Sequence, residues 1–226
     1  TYVTGMAVVI TCETLRKKIC ERGAEYLGCS PDDVEFDGEK VVNLKTKEEI
    51  TRKEIGNKVM CSSNAPLSAT EAFSSPVSPP PFMVGIAEVE IDKETGVVEP
   101  IDYAAVVDCG TVVNPNLARV QTEGGIAQGI GMALYEDIIY SEKGKNYSNS
   151  FMQYKIPSRL DVGEIRVEFE SSYEPTGPFG AKSIGEIVIN TPSPAISNAV
   201  QNAVGVIVRE LPITAEKVYK GMAEKE

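Results

Sequence analysis

The first part of the chain places apolar residues at helical spacing. Between residues 4 and 28 they recur every three to four positions with charged residues between them, and Gly28 suits the end of a helix. This pattern predicts a helix that packs on a core. Two β-prone arms within residues 34–42 flank the pair Asp37-Gly38, which predicts a small hairpin.

Thr46 and Glu49 have the spacing of a capping box, which predicts a second helix that ends near residue 58. The composition then changes to Ser, Pro and Ala over residues 61–81, and several prolines there cannot sustain a helix or an interior strand. We therefore expect three parts: a helical segment with a hairpin at 1–60, an extended connector at 61–81, and an α+β portion at 82–226.

Strand-like patterns follow the connector. Residues 82–92 and 97–110 alternate apolar and polar side chains on either side of a turn, which predicts an antiparallel pair with one buried face. Residues 164–171 alternate in the same way and predict another strand. Residues 173–186 contain several prolines and glycines and are expected to form a loop.

Three further segments have helical patterns. The segment after Asn114 has apolar residues at positions 117, 120, 126, 130 and 134 but also four glycines, at 124, 125, 129 and 131. Each glycine costs about 1 kcal/mol relative to alanine in a helix, so we expect some group to approach this backbone closely. A helix that begins near residues 191–194 and a short one at 214–223 complete an α+β fold of mixed and antiparallel strands with packed helices.

Composition narrows the possible partners and location. The 226 residues have a formal charge of −11, with acidic residues scattered along the chain, so a nucleic acid is not an expected partner. No apolar run is long enough to span a membrane, and the start of the chain lacks the pattern of a signal peptide. These features predict a soluble, cytoplasmic protein. Without an initiating Met, the chain is expected to be a processed subunit or a piece of a longer polypeptide.

The chain contains no histidine, so any acid–base chemistry must come from Glu, Asp, Lys or Tyr. Its five cysteines are odd in number and form no CxxC pair, which predicts buried thiols in a reducing compartment. Cys109 has no base nearby that would make it a nucleophile. Asp108 and Asn114 are expected to shape the turn between a strand and a helix.

Glu186 lies among apolar residues just before a predicted helix. Desolvation would make its carboxylate a better base, whereas the positive end of that helix or Lys182 would oppose this effect. Capping of the helix or pairing with Lys182 is therefore the alternative to catalysis. Gln121 and Gln128 share one helix face, where they could bind a flat polar ligand or remain solvated next to closely packed helices.

Three segments follow one another along the chain: VVDCGTVVNPNLARVQTEGGIAQGIGMALYED, then FMQYKIPSRLDVGEIRVEF, and then PFGAKSIGE, which precedes a predicted helix. Together they resemble the molybdenum-binding subunit of the xanthine dehydrogenase and aldehyde oxidase family. The resemblance covers nearly the whole chain and corresponds to the last third of such a subunit. It implies a molybdopterin-binding domain. In this family the glutamate that matches Glu186 is the catalytic base, and the glutamine that matches Gln121 hydrogen-bonds the oxo ligand of molybdenum.

The resemblance implies Glu186 as the base and Gln121, Gly180, Ala181, Lys182 and Ser183 as cofactor-binding residues. The glycine-rich helix face adds Gly124, Gly125 and Gln128 to the predicted cofactor-binding residues. The family commonly has Gly-Val where this chain has Ser183-Ile184. No side chain binds the metal, because the family holds molybdenum on molybdopterin, here expected in its cytosine dinucleotide form. [2Fe-2S] clusters and FAD would be on partner subunits or on parts absent from this chain, as would the remaining molybdopterin-binding portion.

The activity implied by the resemblance is hydroxylation of an electron-deficient carbon of an N-heterocycle, of the purine or nicotinate type, with water as the oxygen source. The electrons would pass to the iron–sulfur and FAD groups. Two alternatives remain: an aldehyde oxidoreductase of the same family, and a non-catalytic subunit for assembly or cofactor delivery that has kept the fold.

Overall fold

A computed structural model describes residues 1–62 and 66–224 of the chain. It contains two compact units, Tyr2–Ser78 and Thr1 with Pro79–Glu226. Residues 61–62 and 66–81 contain no helix or strand, and residues 63–65 of the expected connector lie outside the described residues, as do residues 225–226.

The unit Tyr2–Ser78 begins with helix α1, Tyr2–Leu27, which ends at Gly28 with a φ of +66° as predicted. Strands β1 (Val34–Phe36), β2 (Lys40–Asn43) and β3 (Glu49–Thr51) form an antiparallel sheet in that order, and β1 and β2 are the predicted hairpin. Helix α2, Arg52–Met60, follows. The core of this unit contains Ile19, Val41, Ile50, Ile55 and Val59.

The predicted capping box at Thr46 and Glu49 is wrong. Thr46 lies in the turn between two strands, and the observed capping box is Thr51 with Glu54, at the start of α2. The chain has the same S/T-x-x-E pattern at both places, and local sequence does not distinguish them. Burial decides, because extension of residues 49–51 as a strand buries Ile50 against α1 and β2.

The unit Pro79–Glu226 is built on a sheet of strands β4 (Phe82–Ile91), β5 (Val98–Asp108) and β6 (Glu164–Glu170) in that order. β4 and β5 are the predicted antiparallel pair, and β6 runs parallel to β5. Tyr103 of β5 is buried under β4, where Gly85 leaves room for it; a Cβ at Gly85 would lie 2.0 Å from the Tyr103 hydroxyl.

Two long helices cover the inner face of this sheet. They are α3, Pro115–Leu134, and α5, Pro192–Val204, and both were predicted. Their buried residues Ile126, Ile130, Ile196 and Val200 join β5 and β6 in one core. The short helix α6, Ala215–Ala223, closes the unit as expected. The α+β fold with mixed strands is confirmed.

Two expectations need correction. A four-residue helix that the sequence did not predict, α4 (Ile187–Asn190), precedes α5. Its helical backbone buries the Val188 side chain against α3. The cysteines are not uniformly buried: Cys109 is buried, Cys20 and Cys29 are intermediate, and Cys12 and Cys61 are exposed. The small side chain of cysteine can be buried or exposed, so the residue type alone did not determine the burial of these five cysteines.

Across residues 1–62 and 66–224, no helix combines the length and the apolar character needed to cross a membrane.

Candidate active site

The turn from β5 into α3 is shaped by two polar side chains, as predicted. Asn114 caps α3, since its side-chain oxygen accepts a hydrogen bond from the Leu117 N–H at 3.0 Å. Asp108 accepts one from the Gly110 N–H at 2.9 Å. These bonds set the direction in which α3 leaves the sheet, and thus where the glycine-bearing face of the helix points.

At some of its glycines, α3 is approached closely by other residues of the same chain, as the glycine content predicted. A Cβ on Gly125 would lie 2.2 Å from Val188 of α4, and one on Gly129 would lie 2.6 Å from Pro192. Gly124 differs, because a Cβ there would meet no atom of the described residues within 4 Å. Two of the glycines thus serve helix packing, while Gly124 leaves backbone open to a ligand.

A recess of about 660 Å³ lies beside this open backbone. It brings together five of the predicted site residues, which are Gln121, Gly124, Gly125, Gln128 and Glu186. Sequence reasoning missed four further lining residues, Leu117, Val120, Gly185 and Ile189. Leu117 and Val120 could have been found from helical spacing, since each lies four residues before a predicted site residue, Gln121 or Gly124, on the same face.

Glu186 is exposed in the recess, and among the described residues that line the recess it alone is charged. Its side chain makes no capping bond to α4. Lys182 pairs instead with Asp108, at 2.8 Å between its Nζ and the carboxylate. Among residues 1–62 and 66–224, no side chain or backbone donor engages the Glu186 carboxylate. The capping and ion-pairing alternatives are therefore absent from the structure.

A second recess, of about 300 Å³, adjoins the first and shares Leu117 and Gln121 with it. The predicted residues Ala181 and Lys182 line this second recess. Gly180 and Ser183 line neither: Gly180 bonds to the turn after β5, and Ser183 is exposed. The loop thus borders the site through only two of its four predicted residues.

Burial and hydrogen bonding shift the pKa values of two residues near the second recess, Asp108 and Cys109. Burial alone would raise the pKa of Asp108, but hydrogen bonds from Lys182 and Ser172 outweigh it and keep that pKa below its ordinary value. Burial raises the pKa of the Cys109 thiol, which therefore stays protonated near neutral pH. Cys109 contributes a wall of the recess and no thiolate.

In the described part of the chain, no three side chains of the His, Cys, Asp or Glu type converge where they could hold a metal ion. The polar side chains that line the recesses carry amides, hydroxyls, a carboxylate and the ammonium of Lys182, which is paired with Asp108. Such a set suits an organic ligand with hydrogen-bonding edges.

Known proteins resemble this chain in sequence and in fold. The family model of the molybdopterin cofactor-binding domain matches residues 1–163. The chain is 34% identical over 227 residues to a probable hypoxanthine oxidase of Escherichia coli (strain K12), which covers 98% of this chain and 23% of that protein. It is 30% identical over 228 residues to the 6-hydroxypseudooxynicotine dehydrogenase complex subunit gamma of Paenarthrobacter nicotinovorans, covering 97% and 29%.

The crystal structure of quinoline 2-oxidoreductase from Pseudomonas putida 86 has the same fold, with a TM-score of 0.76 and 27% identity over 94% of this chain and 28% of that one. The chain spans 23% and 29% of the two curated relatives, about a quarter of their length. Because the family model matches well over half of its residues, the chain belongs to the molybdopterin cofactor-binding domain family of the molybdenum hydroxylases.

Proposed function

We propose that this chain forms one wall of the molybdopterin site of a molybdenum hydroxylase, and that Glu186 is the catalytic base. The observation that carries the proposal is the recess that Glu186 lines together with the amides of Gln121 and Gln128, with Glu186 as the one charged residue among the described lining residues. The carboxylate has no partner among the described residues that would compete with an incoming proton. A catalytic base must be reachable by the substrate, and its carboxylate must be free to accept a proton.

The recess fits a flat, polar cofactor. Gly124 and Gly185 line it, and a Cβ at either position would meet none of the described atoms within 4 Å, so the backbone stands bare where a ligand would lie. The amides of Gln121 and Gln128 can both donate and accept hydrogen bonds along an edge of such a ligand. When bound, molybdopterin with its molybdenum supplies the redox centre, and the chain supplies binding and proton transfer.

The side chains that line the recess have distinct roles in this proposal. Glu186 accepts a proton at a carboxylate oxygen as water-derived oxygen is added to the substrate carbon. Gln121 and Gln128 orient the cofactor through their amides, and the apolar side chains of Leu117, Val120 and Ile189 exclude water from its flank. Each role follows from residue type and position in the recess.

We propose an electron-deficient carbon of an N-heterocycle as the site of hydroxylation. The names of three relatives refer to hypoxanthine, 6-hydroxypseudooxynicotine and quinoline, which all contain a ring nitrogen. The proposal includes the cytosine dinucleotide form of the cofactor, iron–sulfur and FAD groups on partner subunits, the remaining molybdopterin-binding portion, and a cytoplasmic location. One relative is named as a subunit of a complex, which supports such partners.

The test compares the assembled enzyme with its Glu186→Gln variant. We expect turnover of hypoxanthine, nicotinate or quinoline to fall about 10²- to 10⁴-fold, the range for loss of a general base, while the molybdenum content is unchanged. Glu123→Gln is the matched control, because this carboxylate is on α3 but does not line the recess. Unchanged turnover in Glu186→Gln would refute the assignment of the base. A complex that lacks molybdenum in the wild type would instead support an assembly role.

A further inference from the structure

The ion pair between Asp108 and Lys182 is left unused by the proposed function, yet it is the least exposed ion pair among the described residues. Its two side chains have exposed fractions of 20% and 10%, and the Lys182 ammonium is 2.8 Å from the carboxylate. The same ammonium is 5.5 Å from the centre of the Phe82 ring. A partly buried, charge-assisted bond of this kind is stronger and less screened than a surface pair.

Asp108 is itself held in place. In addition to Lys182, its carboxylate accepts hydrogen bonds from the Ser172 hydroxyl at 2.6 Å and from the Gly110 N–H at 2.9 Å. Ser172 comes two residues after the end of β6, and Asp108 is the last residue of β5. The carboxylate therefore ties the ends of two strands to the loop that carries Lys182.

Backbone hydrogen bonds reinforce the same connection. The Lys182 N–H donates to the Cys109 carbonyl at 2.7 Å, and the Thr111 N–H donates to the Gly180 carbonyl at 2.8 Å. Residues 180–182 are thus fixed to the turn between β5 and α3. That turn also precedes α3, which contributes Gln121 and Gln128 to the lining of the recess.

Glu186 lies between two anchors. Lys182 is fixed four residues before it, and Val188 is buried two residues after it, against Gly125 of α3. The side chains of Ser183 and Glu186 have no partner among residues 1–62 and 66–224. The position of the Glu186 carboxylate in the recess therefore depends on these two anchors.

From this arrangement we infer that Lys182, held by Asp108, is a positioning residue that sets where Glu186 stands relative to Gln121. The inference rests on the proposed function of Glu186 and adds to it the ion pair that determines the geometry of the base. Misplacement of a reacting group by about 1 Å can reduce a rate by about 100-fold even when the chemistry is intact.

The test measures kcat and KM of the assembled enzyme for Lys182→Met, Lys182→Arg and Asp108→Asn. We expect Lys182→Met and Asp108→Asn to lower kcat about 10- to 100-fold, while KM and molybdenum content stay within about twofold of the wild type. Lys182→Arg keeps a cation for Asp108 and for the Phe82 ring, and should retain at least about half of the wild-type kcat. Asp102→Asn is the control, because it removes the exposed pair with Arg166 on the same strand β5.

A second measurement has no dependence on turnover. Hydrogen exchange of the backbone amides in residues 180–186 should be faster in Lys182→Met than in Asp102→Asn. Should Lys182→Met fail to assemble, Lys182→Gln takes its place. The inference is overturned by unchanged kcat in Lys182→Met, by failure of Lys182→Arg to restore kcat, or by a loss that appears only as lower molybdenum content. If Glu186→Gln is inactive while Lys182→Met is normal, this inference alone fails and the base remains.

Discussion

The loop that leads to Glu186 has two halves, and the protein holds them in opposite ways. In residues 180–182 the backbone bonds to the turn after β5 at two points, and Lys182 reaches the partly buried carboxylate of Asp108. In residues 183–186 the side chains of Ser183 and Glu186 are exposed, and none of the described residues bonds to them. A Cβ added to Gly185 would likewise touch nothing described within 4 Å.

The difference separates the structural task of the loop from its chemical task. The first half, residues 180–182, is bound to the rest of the fold, so we expect substitutions there to destabilise the protein. The second half, residues 183–186, places the Glu186 carboxylate in a recess, where none of the described residues bonds to it. A residue that must bind or accept a proton from a ligand has to leave those bonds open.

The largest effect on stability is expected from alanine substitution in the held half. Gly180 has a φ of +86°, and a Cβ there would lie 2.4 Å from the Tyr173 ring and 2.6 Å from the Thr111 hydroxyl. Gly180→Ala should lower the free energy of unfolding by about 2–4 kcal/mol, through left-handed strain and overpacking. Gly185→Ala, in the free half, should change it by about 0.5 kcal/mol or less. Urea denaturation followed by circular dichroism measures both, and equal effects would remove the contrast.

A similar contrast is expected between two neighbouring glycines of α3. Gly125→Ala would place a methyl group 2.2 Å from Val188, which is fully buried, so we expect a loss of about 1–3 kcal/mol from overpacking. Gly124→Ala meets open space and should stabilise the helix by about 0.5–1 kcal/mol. Its methyl group would stand in the recess and should lower the molybdopterin content of the purified enzyme. A Gly124→Ala enzyme with both higher stability and full cofactor content would show that ligands do not approach this backbone.

A smaller effect is expected from acidification. The pKa of Asp108 in the folded protein lies below its ordinary value of 3.8, so the folded state is stabilised by the ionised carboxylate at higher pH. This stabilisation is complete above the unfolded pKa and is lost as the pH falls through the folded one. The free energy of unfolding should therefore fall more steeply below about pH 4 in the wild type than in Asp108→Asn. Urea midpoints at pH 7, 5 and 3 provide the measurement.

Both proteins contain the same other carboxylates, so the difference between the two curves isolates Asp108. Parallel curves would mean that Asp108 gains nothing from its partners in the folded state.

The smallest stability effect is expected at Glu186, the proposed base. Glu186→Gln removes a charge from an exposed carboxylate that none of the described residues pairs with, so the free energy of unfolding should change by about 0.5 kcal/mol or less. The thermal midpoint compared with that of Lys182→Met checks this. A stability loss in Glu186→Gln as large as that in Lys182→Met would show that Glu186 is held after all.

Much of the fold followed from the order of residues. Alternation predicted β4, β5 and β6, and helical spacing predicted α1, α3 and α5, because a one-sided core requires these periods. The second helix was placed too early because two capping patterns occur five residues apart, and only the burial of Ile50 in a strand chooses between them. α4 is too short to leave a periodic signal.

At the candidate site, the order of residues was enough to show which groups are available: the chain has no histidine, a glutamate precedes a helix, and two glutamines share one helix face. Which partners these groups have depends on the packing of the strands and helices. The tertiary structure assigned Lys182 to Asp108 and left Glu186 open, and it separated Gly125, which packs on Val188, from Gly124, which faces the recess. Residues far apart in the chain compete for the same partners, and which of them meet depends on how the strands and helices pack.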